Sequence, residues 1–270
     1  MALRVLSLGA GVQSTAIALM MAHGEIEPAN CAIFADTGCE PAPVYANLQW
    51  LITGANLPFP IHVVSAGDMR QELRRAVEGI RGAHGRPPLH IRNADGSSGM
   101  IRRQCTGDYK IDPIRRELRR LLGVPRGRRV PSSVTVAQVI GISADEAHRM
   151  KPAREQWITC EWPLVDLGVR RRDCLNWLRD HGYPEPPKSA CTICPYRSDA
   201  EWARLRETDA EGWRDAIEID RAIRQGMNGL KADGVYLHRS LRPLDQVQLT
   251  AADRGQGDLW GNECSGHCGV

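Results

Sequence analysis

An apolar run from Leu3 to Leu8 stops at Gly9-Ala10-Gly11, and a helical-looking run from Ala16 to Ala22 follows. Strand, glycine turn, helix is the order that most constrains this chain. Such a turn leaves the first N–H groups of the helix without intrachain partners, and the helix dipole adds partial positive charge there. Anions bind at such places. Gly9 and Gly11 let the backbone approach a ligand with no Cβ in the way. Gln13, Ser14 and Thr15 add polar side chains at the helix start, and Ser7 precedes the turn. Spacing alone fits a phosphate cradle and an ordinary strand-to-helix junction about equally. No lysine follows the second glycine, so the turn is not the usual P-loop.

The pattern then repeats. Ala29 to Ala35 is apolar and leads into Asp36-Thr37-Gly38-Cys39-Glu40; Val44 to Thr53 has helical spacing, and Ile61 to Val64 is apolar again. Strands alternating with helices predict a parallel sheet covered on both faces. Ligands sit beyond the C-terminal strand ends of such sheets, so the glycine turn and the Asp36–Glu40 loop are expected to face one ligand. Asp68 to Gly79 reads as a helix capped by Asp68. Residues 80–100 show no periodicity and read as a long mobile loop. Asp112 to Leu122 is a helix, Val134 to Ile142 a buried strand, and Ser143-Ala144-Asp145-Glu146 fits a capping box. Trp157 to Val165 reads as a strand, with helices over 170–181, 198–208 and 211–225. We expect a nucleotide-binding α/β domain over residues 1–165 and a helical, cysteine-bearing region over 166–270.

The chain has 270 residues and is 42% hydrophobic, enough for a sizeable core. Its apolar runs are far shorter than a membrane span. Polar residues interrupt the first run too early for a signal peptide, so a cytoplasmic location and no membrane partner are expected. The net charge of +3 creates no global pull toward nucleic acid. Lys110, Lys151, Lys188 and Lys231 are the only lysines among 35 basic residues. Coding bias explains such an arginine excess, although arginine is also the better bidentate partner for phosphate and sulfate.

Nine cysteines in a chain of this class point to metal ligation or thiol chemistry rather than a disulfide framework. Cys191-x-x-Cys194, between Pro187 and Pro195, has the spacing that grips one metal or cluster from a turn. Cys264 and Cys268 form a second close pair, and Cys105 stands among basic residues. Cys105, Cys191, Cys194 and a tail cysteine such as Cys268 could together hold a [4Fe-4S] cluster. Two pairs could hold zinc, and a reducible Cys191/Cys194 pair is the plain alternative. Cys31, Cys160 and Cys174 sit in apolar or helical contexts and read as core. Cys264, on a glycine-rich tail with His267 three residues on, is the candidate nucleophile.

Taken together, these motifs resemble a known family. Gly9-Ala10-Gly11-Val12-Gln13-Ser14 is similar to the PP-loop of the adenine nucleotide alpha hydrolase-like superfamily. Asp36-Thr37-Gly38 with Glu40, and the tail Glu263-Cys264-x-x-His267, resemble the phosphoadenosine phosphosulfate (PAPS) reductase branch. The layout is that of PAPS reductase-like proteins often carried by phages and prophages. Arg103-Gln104-Cys105, Cys191-x-x-Cys194-Pro195-Tyr196 and His238-Arg239 complete the pattern. The resemblance implies a Rossmann-like parallel sheet with helices on both faces. A PP-loop of Gly9, Gly11, Gln13, Ser14 and Thr15 would cradle the phosphates of ATP or of PAPS/APS. Asp36, Thr37, Gly38 and Glu40 would shape the nucleotide pocket, with Asp36 touching Mg²⁺ or ribose. Arg103, Lys110, His238, Arg239 and Arg242 would neutralise phosphate or sulfate.

Three departures stand out. Gln13 replaces an acid of the PP-loop pattern, no adjacent Cys-Cys pair exists, and Ser265-Gly266 alters the tail. Three functions therefore compete. The first is a PAPS reductase-like enzyme in which a thiol attacks a sulfonucleotide and a thioredoxin-type reductant releases sulfite. The second is an ATP pyrophosphatase that adenylates and thiolates tRNA or DNA, drawing on a sulfur donor. The third is a non-catalytic nucleotide sensor with structural zinc.

Overall fold

The computed structural model describes residues 3–80, 86–227, 230 and 232–249. Its first half is the expected α/β layer: β1 Leu3–Leu8, α1 Val12–Ala22, β2 Cys31–Asp36, α2 Ala42–Thr53, β3 Ile61–Ser65 and α3 Met69–Val77. A short hairpin follows, β4 His90–Arg92 and β5 Ser98–Met100, then α4 Asp112–Leu121, β6 Val136–Ile140 and β7 Ile158–Glu161. The rest is mainly helical: α5 Pro163–Asp166, α6 Arg171–Asp180, α7 Asp199–Thr208 and α8 Ala210–Ile223, closed by β8 Gly234–Tyr236.

The five long strands form one sheet in the order β3-β2-β1-β6-β7. Every pairing in it is parallel. The chain walks outward from β1 to β3, then crosses back to place β6 on the other side of β1. That reversal puts a crevice beyond the ends of β1 and β6. β1 and β2 are mostly apolar and buried because both their faces are covered, with Arg4 at the start of β1 and Asp36 at the end of β2 the charged exceptions. On one face α1, α2 and α6 bury Ile17, Leu48 and Leu178. On the other, α4 buries Ile114 and Leu118 against Ile33 and Val136 and turns its arginines outward. A second core joins Leu73, Leu89, Trp202, Ile219 and Val235.

Several local expectations change. Within the span 80–100, residues 90–100 are not free of structure, because β4 pairs with both β5 and the distant β8. Strands of three residues are too short to show a period, and their partner lies about 140 residues away in the chain, as Ile91 pairing with Val235 illustrates. The Ser143 box makes no side-chain cap. Ser143 instead starts a short 3-10 turn, and its hydroxyl accepts from Gln13 Nε2 at 3.5 Å. The segment read as a strand through Val165 ends at Glu161, because Pro163 opens α5. Asp68 does cap α3, accepting from the N–H groups of Arg70 and Gln71. No described helix is long and apolar enough to cross a membrane.

Glu117 ties α4 to the sheet edge. Its carboxylate takes two 2.7 Å hydrogen bonds from Arg120 and lies 2.5 Å from His62 Nδ1 on β3. Arg120 foremost, with His62, holds the Glu117 carboxyl down at about 2 against the opposing effect of burial. A depressed folded-state value stabilises the fold above the unfolded-state value and loses that effect as pH falls. Glu117→Gln should therefore cost roughly 1–2 kcal/mol at neutral pH, the solvent around Arg120 reducing the full linkage value. The variant and the parent should converge as pH drops from about 4.5 toward 2, read by urea unfolding at several pH values.

Candidate active site

The glycine turn is built by the chain around it. Ala10 takes a left-handed φ of 52° and is wholly buried. Asn47 of α2 donates to Ala10 O at 3.0 Å and to Thr15 Oγ1 at 3.1 Å. Ser14 Oγ accepts from Gly9 N at 3.2 Å and donates to Gly11 O at 3.3 Å. Ser7 Oγ accepts from the buried Gln138 of β6 at 2.7 Å. The hydroxyls expected to touch phosphate thus each have a protein partner as well. What faces outward is the start of α1, which has no side-chain cap and no acid in its first turn.

The Asp36–Glu40 loop stands beside this turn. Asp36 Oδ1 accepts from Gly38 N at 2.8 Å and from the Tyr45 hydroxyl at 2.7 Å, so this oxygen shapes the loop. Gly38 has φ +72°, and a Cβ there would lie 2.7 Å from Asp68 Cα, which only glycine tolerates. Glu40 is buried, 3.7 Å from Lys110 Nζ, and Thr37 donates to it at 3.2 Å. Ser7, Gly9, Glu40, Lys110 and Ser189 line one small cleft between β1 and β2. The two loops therefore meet at one mouth, as the parallel sheet requires.

A larger cleft opens at the β1/β6 crevice. Gly11, Gln13, Gly141, Glu146, Arg149, Arg171, Lys188, Arg197 and Glu201 are among its lining. Four cations face two carboxylates around a helix N-terminus, an excess of positive charge suited to a polyanion. Arg149 pairs with Glu146 at 2.6 Å, Lys188 pairs with Glu201, and Gln13 donates to Glu146 at 3.2 Å. Arg197 has a different task. It donates to Ala190 O at 2.5 Å and to Cys191 O at 3.1 Å, locking the cysteine turn. Arg149, Arg171, Lys188, Ser189 and Arg197 escaped the sequence reading. Lys188 and Ser189 stand directly before Cys191-x-x-Cys194, which is the one signal that pointed to them.

Ser189, Ala190, Cys194 and Tyr196 line both this cleft and an apolar neighbour. The neighbour also gathers Cys105, Cys191, Arg103, Lys110, Thr37 and Met69. Cys191 and Cys194, singled out by spacing, thus share one cleft with Cys105, and Cys39 stands next to Cys191. Thr37 Oγ1 lies 3.4 Å from Cys39 Sγ and 3.5 Å from Cys191 Sγ. Thr192 N donates to Cys39 O at 2.8 Å, pinning the two loops. Zinc would need its thiolates within about 4 Å of one another. Among the described residues no three of these ligand atoms come together that closely here. An iron–sulfur cluster also takes cysteine thiolates, and three cysteines line this one cleft.

The thiols differ in reactivity. A hydrogen bond from Cys39, with help from Lys110, holds the half-buried Cys191 below the ordinary thiol range against burial and Glu40. Burial pushes Cys31 up to about 11 and Cys174 up to about 12, and both are inert core thiols as expected. His238 is buried beside Asp199 at 3.2 Å, and Arg239 pairs with Asp199 at 2.9 Å. Neither they nor the exposed Arg242 line the three clefts. Cys264, His267 and Cys268 lie outside the described residues. In chelator-treated protein near pH 8, iodoacetamide should modify Cys191 before Cys31 and Cys174, as read by peptide mass spectrometry. Equal labelling of all three would contradict the thiol ordering.

No family model matches the chain, and no curated protein matches it. Among solved structures, the chain is similar to a phosphoadenylyl-sulfate (PAPS) reductase from Candida auris, crystallised as a phosphate complex. The match has 12% identity and a TM-score of 0.44, and it covers 69% of this chain and 76% of that one. At that distance no residue role passes from one chain to the other.

Proposed function

We propose that the chain is an adenine-nucleotide-binding enzyme of sulfur chemistry, related in its working to the PAPS reductase-like proteins its motifs resemble. The carrying observation is adjacency: a cation-rich cleft at the start of α1 shares a wall with a cleft holding Cys105, Cys191 and Cys194. The nucleotide's phosphates would rest against the first N–H groups of α1, with Arg149, Arg171 and Lys188 around them. An iron–sulfur cluster would be held by Cys105, Cys191 and Cys194, with Cys268 as the expected fourth ligand. In the reductase reading a cysteine thiolate, Cys264, attacks the sulfur of a bound sulfonucleotide. The S–O bond to the nucleotide phosphate breaks, and the nucleotide leaves with the electron pair. A dithiol reductant then displaces sulfite from the S-sulfonate and is oxidised to its disulfide.

Affinity for AMP, ATP and PAPS, followed by calorimetry, tests the nucleotide part. Arg171→Ala should weaken binding by roughly ten- to a hundredfold, the worth of one charge-assisted hydrogen bond. No adenylate binding at millimolar concentration would end the proposal. Sulfite release from PAPS or APS with thioredoxin tests the chemistry, and an unimpaired Cys264→Ser enzyme would remove that thiol from it.

One observation favours the second reading, ATP-driven thiolation of a nucleic acid. Arg115, Arg116, Arg119, Arg120 and Arg126 line a single groove on the outer side of α4. Such a groove tracks a phosphate backbone, and binding to it falls steeply with salt. If this reading holds, tRNA or DNA should stimulate AMP and pyrophosphate formation from ATP. Arg116→Ala/Arg119→Ala should also reduce the salt slope of binding by about two. Unchanged ATP turnover with every nucleic acid tried would remove it.

A further inference from the structure

Helices α1 and α6 end alike. His23 and His181 are their last half-helical residues, each followed by a glycine at positive φ, Gly24 at 77° and Gly182 at 73°. In both, the next N–H reaches back into the helix: Glu25 N to Met20 O and Tyr183 N to Leu178 O, each at 2.9 Å. The repeated His-Gly close returns the chain over the helix end. The two ends lie side by side, with the His23 and His181 rings 4.9 Å apart. One ligand atom each from His23, Glu25 and His181 lies within 4.8 Å of the others.

We propose that His23, Glu25 and His181 form a binding site for a divalent transition metal of the zinc class. Two imidazoles and one carboxylate are a zinc ligand set that leaves a fourth position for water. The partners around them are those a metal site requires. His181 Nδ1 donates to Trp177 O at 2.8 Å, which leaves the Nε2 lone pair for a metal. Trp177 Nε1 donates to both oxygens of Glu25 at 3.0 Å, and its ring stacks on His181 at 4.0 Å. The Tyr183 hydroxyl lies 2.8 Å from His23 Nε2, so with Nε2–H donating to it the Nδ1 lone pair is the one available to a metal. Two helix C-termini add partial negative charge at the same spot, favouring a cation.

The site has a consequence for the far end of both helices. α1 has 11 residues and α6 has 10, so each is about 15 Å long. Their N-terminal ends carry Gln13 and Arg171 into the cation-rich cleft. A metal at the C-terminal ends clamps the two helices that shape that cleft. The metal site itself stands whether or not the cleft takes a nucleotide.

The test uses full-length protein freed of metal by chelator, with Zn²⁺ and Co²⁺ as probes. Calorimetry should find one zinc equivalent that is lost or weakened by about tenfold or more in His181→Ala and in Glu25→Gln. Glu25→Gln keeps the shape of an exposed side chain, so it separates lost ligation from lost folding. The same equivalent should persist in Cys191→Ser/Cys194→Ser. Cobalt bound there should absorb without thiolate charge-transfer bands, and zinc should raise the melting temperature of the parent but not of Glu25→Gln. Zinc binding unchanged in both His181→Ala and Glu25→Gln, or cobalt bound only with thiolate bands, would overturn the site.

Discussion

The close approach of the 187–192 segment to the glycine turn is the contact on which the site depends. A Cβ on Gly11 would stand 3.0 Å from Ser189 Cβ and 3.4 Å from its backbone nitrogen. Glycine at 11 is therefore required first by the protein's own chain, which comes to rest on the turn. Through this contact Ser189 reaches all three clefts. Thr192 then bonds Cys39, and Arg197 grips the carbonyls of Ala190 and Cys191. The thiols are thereby delivered to the C-terminal edge of the sheet by a rigid connection.

Burial gives these polar contacts their weight. Glu40 and Lys110 lie in the wall between the glycine turn and the thiol cleft, with side chains 2% and 12% exposed. At such depth, charges persist only when paired and hydrogen-bonded. Thr37 and Cys191 complete part of that pairing, with donors 3.2 and 3.5 Å from Glu40 Oε1. The cysteine environment is set by the loop after β2 as much as by the Cys-x-x-Cys turn itself.

Much of the α/β layer was legible in the sequence. β1, α1, β2, α2 and β3 follow from apolar runs, helical spacing and glycine turns, because local periodicity reflects which faces are covered. Side-chain roles were less legible. Ser7, Ser14 and Thr15 look like phosphate ligands by position, yet Gln138, Gly9 and Asn47 engage them. Asn47 stands 37 residues from Ala10 and Gln138 stands 131 from Ser7, separations at which no local pattern carries information. The β4–β5 hairpin escaped for the same reason, since β8 supplies its second partner.

The sequence by itself determined a parallel α/β sheet, a glycine turn at its first crossover, and a pair of cysteines spaced three apart. These depend on neighbours within a few residues, where backbone geometry and spacing act directly. Only the tertiary structure decided which cations surround the turn, that Cys39 joins the other thiols, and that His23 meets His181. Those juxtapositions arise when helices pack on a twisted sheet and bring distant segments together. Their geometry belongs to the packing, and no stretch of the chain read alone contains it.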